Sequence, residues 1–260
     1  MIKISNITVG YQQKKIIKNL SLDFEKGEFC ALLGPNGAGK STLLNAIIGF
    51  LQLWNGNISV NGTGINKWQK KEIAKKIALI PQDFQLQFDY KVEDLILMGR
   101  FPYLRKWQNY TKKDKEIVED VLKSLDLMKF KNKLFSQLSG GEKQRVSIAR
   151  ALVQDTDIIL MDEAFSHLDI NHQLEIMQLL SEINAKHEKL IILVSHNINL
   201  ASEYCNRVVM LKDGNLVAKG SPERVITPQT IAKVYGTNLQ IIKNPISGKP
   251  NLIYPGKNEI

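Results

Sequence analysis

The segment Gly34-Pro35-Asn36-Gly37-Ala38-Gly39-Lys40-Ser41 constrains this chain more than any other. It fits G-x-x-x-x-G-K-[ST] and lies between an apolar, strand-like run at 29–33 and a helical pattern at 41–50. Its glycines let successive backbone N–H groups close around phosphate oxygens, and the following helix adds the positive end of its dipole. In such a loop Lys40 reaches the β and γ phosphates, the Ser41 hydroxyl serves Mg²⁺, and Thr42 adds a polar contact. The plainer reading is a glycine turn that binds nothing, and the flanking strand and helix argue against it.

The rest of the chain supplies a sheet to hold that loop. Apolar runs at 2–9 and 16–24 read as strands, as do 57–60 before Asn61-Gly62 and 77–80 before Pro81. From 92 to 130 the apolar spacing turns helical, through Val92, Leu95, Ile96, Ile117, Val121 and Leu125, and Thr111 with Asp114 predicts a capped helix start. Helices at 142–153, 171–183 and 197–204 then alternate with strands at 158–161 and 190–194, which predicts a parallel sheet flanked by helices. Strands at 208–211 and 216–218 around Asp213-Gly214 form a hairpin, 230–235 a short helix, and 239–242 with 252–254 a second hairpin.

Composition narrows the class. An apolar share of 43% suits a packed core, and the runs at 158–161 and 190–194 fall far short of the roughly 18 residues a bilayer span requires. Cys30 and Cys205 are far apart and lack metal or redox spacing, so reduced thiols are expected. Residues 1–5 alternate like a strand and do not resemble a signal peptide, so export is not expected. The net charge of +9 admits nucleic acid, an anionic membrane surface, a phosphorylated ligand or simply a Lys-rich solvated surface.

Two further segments give the loop a chemistry. Residues 158–161 end in Asp162 and Glu163, where Asp162 is the metal-side carboxylate and Glu163 is placed to orient or deprotonate water. Leu138-Ser139-Gly140-Gly141-Glu142 opens a helix, so Ser139 and the N–H groups of Gly140 and Gly141 form a second anion site.

With these residues in view, the chain resembles the nucleotide-binding subunits of ABC transporters over nearly its whole length. Residues 34–42 look like Walker A, 158–163 like Walker B and 138–142 like the signature. The resemblance implies an α/β P-loop NTPase fold, with a mixed sheet, an N-terminal antiparallel β part and a helical subdomain. Its parts are a catalytic core at 1–83 and 136–237, a helical subdomain at 84–135 and a tail at 238–260. It further implies Tyr11 as the aromatic on adenine, Gln82 as the Q-loop glutamine, Asp169 as the D-loop acid and His196 as the switch histidine.

Glu163, His196 and Gln82 are then the catalytic set. ATP lies on Gly34 to Thr42, and Mg²⁺ lies on Ser41, Gln82 and Asp162, the last directly or through water. Ser139, Gly140, Gly141 and Glu142 meet the nucleotide of a partner copy in a head-to-tail homodimer. Plainer readings stand beside these: an exposed strand aromatic for Tyr11, a turn residue for Gln82, a helix cap for Asp169 and a satisfied buried histidine for His196. His167, His172 and His187 read as structural or surface residues.

Met98-Gly99-Arg100-Phe101-Pro102-Tyr103 with Trp107, His172-Gln173, Asn199-Leu200-Ala201 and the 220–235 segment resemble the ATPases of iron-chelate (ferric siderophore or haem) and cobalamin importers. Fused membrane helices and a C-terminal β domain, common in exporters and sugar importers, are not seen in these residues. The resemblance implies integral membrane permease subunits, an indirect periplasmic or lipid-anchored substrate-binding protein, no nucleic acid, and a peripheral place on the cytoplasmic face of the inner membrane. Other readings are a soluble ABC ATPase acting on ribosomes or DNA, and a P-loop kinase, which has no use for residues 138–142. The family usually follows the catalytic glutamate with Pro-Thr, whereas here Ala164-Phe165 follows. An unchanged mechanism is expected, with Ala164→Pro altering turnover by less than roughly tenfold.

Overall fold

The computed structural model describes residues 1–82, 86–164 and 168–254. In β1 (Ile2–Tyr11) the side chains of Ile2, Ile4, Ile7 and Val9 are buried. Ile4 and Ile7 are three apart, and both face inward because the register slips between them at Asn6, whose φ is 50°. β1 pairs antiparallel with β2 (Lys14–Phe24), after which β3 (Phe29–Leu33) is buried throughout and runs into the glycine loop and α1 (Lys40–Ile47). β4 (Asn55–Val60) and β5 (Thr63–Gly64) complete a four-stranded antiparallel sheet of order β2-β1-β4-β5.

Next come α2 (Lys70–Ala74), β6 (Ile77–Ile80), α3 (Val92–Leu97), α4 (Lys112–Ser124), α5 (Gly140–Val153) and β7 (Ile158–Asp162). They are followed by α6 (Ile170–His187), β8 (Leu190–Val194), α7 (Ile198–Tyr204), and the hairpin of β9 (Arg207–Lys212) and β10 (Asn215–Gly220). The chain continues through α8 (Pro222–Val225), α9 (Pro228–Tyr235) and a closing hairpin of β11 (Gln240–Lys243) and β12 (Pro250–Ile253). The second sheet has order β10-β9-β3-β8-β7-β6 and is parallel except for β10.

Alternation within buried strands divides the core in two. Phe29, Ala31 and Leu33 join the cluster packed against the helices, while Cys30 and Leu32 join the one shared with α1 and the antiparallel sheet. Such continuous apolar strands are what a parallel sheet covered on both faces demands. Among the described residues no helix is long and apolar enough to cross a membrane.

Several elements differ from the sequence expectation. α1 stops at Ile47 because Gly49 turns to φ 68° and Phe50 N–H bonds back to Asn45. α2, β5 and α8 were not expected, being too short to show a period. α6 runs on to His187 and ends in the left-handed Glu188. The capping box of α4 forms as expected, with Asp114 Oδ2 accepting from the Thr111 backbone N–H at 2.9 Å.

Asp114 also clasps the helical region to the core. Its Oδ1 accepts from Arg100 Nε at 2.9 Å, and Arg100 Nη1 donates to the Val153 carbonyl at the end of α5. Burial alone would raise the Asp114 carboxyl, but the bonds from Thr111 and Arg100 hold it below the ordinary carboxylate range. This contribution to stability is present above the unfolded pKa and is lost as pH falls through the depressed folded value. Arg100→Ala leaves Asp114 buried without its cation, so we expect a loss of about 3 kcal/mol or more, measured by urea unfolding near neutral pH.

The tail hairpin packs on α7. Asn199 Oδ1 accepts from Leu252 N–H at 2.8 Å, Ser202 Oγ donates to the Pro250 carbonyl, and Lys249 reaches Glu223 of α8.

Candidate functional site

The glycine loop lies at the C-terminal edge of β3, held from below by the β9–β10 hairpin. Gly214 N–H donates to the Ala38 carbonyl at 3.2 Å, and a Cβ on Gly34 would come within 2.2 Å of the Leu211 carbonyl oxygen. Gly34 is therefore required for backbone approach and Gly39, at φ 96°, for a left-handed entry into α1. α1 has no side-chain cap and no acid in its own first turn, so its N-terminal N–H groups are left without a partner from within the helix. Asn36 to Thr42 line a depression of about 200 Å³ together with Ile16 and Glu163.

Within that depression Lys40 is buried, its Nζ donating to the carbonyls of Gly34 at 2.8 Å and Pro35 at 3.1 Å. Burial lowers the Lys40 pKa, and the nearby Glu163 and Asp162 carboxylates oppose that shift. Ser41 Oγ donates to Asp162 Oδ1 at 2.9 Å, which joins the loop to the end of β7. Burial raises the Asp162 carboxyl, the Ser41 bond works against it, and the charge of Glu163 pushes further upward.

In the sheet β8 lies between β3 and β7. This order brings the residues after β8 to the acids. His196 Nε2 donates to Glu163 Oε1 at 2.6 Å, and Gln82 Nε2, just past β6, donates to Glu163 Oε2 at 3.3 Å. Three separated segments thus converge on one carboxylate. Glu163 itself has φ 47°, uncommon for a residue with a side chain, and this turns its carboxylate back over the loop.

That φ bears on Ala164. A residue before proline is driven toward extended backbone, yet the family usually carries proline directly after this glutamate, so the site accommodates that shift. Ala164→Pro is therefore expected to change steady-state phosphate release by less than roughly tenfold, and a larger change would count against an unchanged mechanism. Phe165 and His167 lie outside the described residues.

The segment expected from the sequence to form a second anion site stands apart. Ser139 caps α5, its backbone N–H donating to Glu142 Oε2 at 2.7 Å, and with Gly141 and Glu142 it borders a depression lined by Lys129, Arg145 and His172. That depression and the one over the glycine loop share no lining residue. Asp169 caps α6 and accepts from His172 Nδ1 at 2.9 Å, as the helix-cap reading expects. His172, read as a structural or surface residue, rests its ring where a Cβ on Gly141 would lie 2.3 Å from Cδ2.

Tyr11 ends β1 and is 45% exposed; the wall of the loop depression is Ile16 of β2. Sequence reasoning missed Ile16 and Gly214, for which the signal available was Asp213-Gly214 as a turn, and it gave His172 no place at the site beyond a structural or surface one.

A phosphate-gripping loop at the C-terminal edge of a largely parallel sheet, facing a strand-end carboxylate pair, defines a P-loop nucleotide-binding ATPase. The ABC transporter family profile matches residues 17–166. The siderophore transport system ATP-binding protein YusV of Bacillus subtilis is 38% identical, covering 98% of this chain and 93% of its own. The hemin import ATP-binding protein HmuV of Shewanella denitrificans is 35% identical, covering 97% and 100%. A solved transporter assigned to the metal-chelate type, in an inward-facing conformation, superposes with a TM-score of 0.85 at 27% identity, covering 97% of this chain and 96% of its own. The chain belongs to the ABC transporter family.

Proposed function

We propose that this chain is the ATP-hydrolysing subunit of an importer that takes up an iron chelate, a siderophore or haem, through separate membrane permease subunits. The observation that carries the hydrolytic part is the Glu163 carboxylate, held between His196 and Gln82 on the rim of the loop depression. The relatives named for siderophore and hemin transport support the substrate class. They also support a peripheral place at the cytoplasmic face of the membrane.

In this reading the N–H groups of residues 36–42 and the Lys40 ammonium take the β and γ phosphates, and Ile16 supports the nucleotide from β2. Ser41 Oγ and Asp162 are hard oxygen donors already 2.9 Å apart, a set that fits Mg²⁺ when phosphate oxygens and water complete the shell. The ion neutralises charge on the β and γ phosphates. Glu163 orients and deprotonates the attacking water, His196 fixes one carboxylate oxygen, and Gln82 links the other to the helical region.

Membership of the ABC transporter family supports a head-to-tail homodimer in which Ser139 to Glu142 of one copy close over the nucleotide of the other. Closure excludes water and strengthens the electrostatics at the γ phosphate. The test is to purify the tagged Glu163→Gln chain from native membranes with ATP present. Recovery of a polytopic permease is expected, whereas recovery of ribosomes or DNA-bound proteins would overturn the transport reading.

A further inference from the structure

The stretch between the turn at Met98–Tyr103 and α4 combines basic residues with an exposed aromatic. Residues 104–113 carry Arg105, Lys106, Lys112 and Lys113 and no acid. At the apex stands Trp107, 94% exposed, with φ 65°. A bulky side chain in the left-handed region is a strained arrangement, and here the strain presents an indole to solvent that buries nothing. Phe101, on the same segment, is 67% exposed.

The turn under the indole is held in place: Arg105 N–H donates to Gln108 Oε1 at 3.0 Å, and Gln108 N–H donates to the Arg105 carbonyl at 3.1 Å. Lys71 Nζ bonds the Leu104 carbonyl, which brings the exposed Lys70 and Lys71 of α2 beside the loop. The acids at the margin are engaged, Asp114 with Arg100, Glu72 with Lys75, and Glu116 with Lys112 at 3.9 Å.

The placement of charge is also costly within the chain itself. Lys112, Lys113 and Lys115 occupy the first turn of α4, where the helix dipole disfavours cations. An anion arriving at that turn would meet both the lysines and the dipole.

We propose that this loop is a docking surface for an anionic phospholipid bilayer. Trp107 enters the headgroup layer, as an indole with an apolar face and a polar edge does, and Arg105, Lys106, Lys112 and Lys113 meet the lipid phosphates. The surface is separate from the nucleotide site and operates without a permease. The outcome of its test therefore leaves the ATP-dependent reading untouched.

The experiment is co-sedimentation of the full chain with vesicles of phosphatidylcholine alone, or mixed with phosphatidylglycerol, at low and high salt. Binding to the anionic vesicles only, weakened by salt, is expected. Arg105→Glu with Lys106→Glu should weaken that binding by roughly thirtyfold or more, and Trp107→Ala by roughly fivefold. ATP hydrolysis by these variants should stay at the wild-type rate. The conservative Trp107→Phe keeps most of the binding but abolishes the vesicle-induced blue shift of tryptophan emission, which separates insertion of this indole from any response of Trp54 or Trp68. No binding by the wild type, equal binding to neutral vesicles, or variants that bind as well as wild type would each overturn the proposal. So would capture of a DNA duplex instead of vesicles, lost through the same substitutions.

Discussion

Glu163→Gln is expected to lower ATP hydrolysis by about a hundredfold or more while leaving ATP binding intact, and to accumulate an ATP-bound dimer. Glutamine has the same shape, so it can still meet Gln82 and His196, but it cannot take a proton from water. It also removes a negative charge from beside Asp162, which lowers the repulsion met by the γ phosphate. The two effects act together, because slower hydrolysis and tighter retention both lengthen the closed state. Phosphate release and gel filtration with ATP and Mg²⁺ check both parts. Turnover at the wild-type rate would remove Glu163 from the role of general base.

Lys40→Met is expected to weaken ATP binding by roughly a hundredfold, read by titration with a fluorescent nucleotide. The methionine keeps the apolar stem and removes only the cation. Since burial already depresses the Lys40 pKa, loss of the charge also relieves a desolvation cost, offset by loss of the bonds to the Gly34 and Pro35 carbonyls. The melting temperature of the nucleotide-free protein should consequently move by no more than about 4 °C. A large fall in melting temperature would mean that Lys40 is a structural residue first.

The glycine loop was legible because its chemistry is local: three glycines, a lysine and a serine act within one turn of chain, and spacing alone defines them. The strand-end acids were legible for the same reason. The meeting of Glu163, Gln82 and His196 was not, since it depends on β8 lying between β3 and β7, and no spacing along the chain encodes strand order. Only the resemblance to a known family put those residues together beforehand. α2 escaped notice because Lys70-Lys71-Glu72-Ile73-Ala74 buries a single residue, Ile73, and one buried position has no period. The left-handed backbone at Glu163 was equally hidden, as nothing in the residue type announces it.

The ring of His172 lying where a methyl group on Gly141 would go has a bearing on inheritance. An alanine at 141 demands that the ring at 172 move aside or be gone, and a smaller residue at 172 opens a gap that an alanine at 141 can fill. The two sites are therefore expected to change as a pair among descendants of this chain, one in the first turn of α5 and the other in the first turn of α6, the helix capped by Asp169.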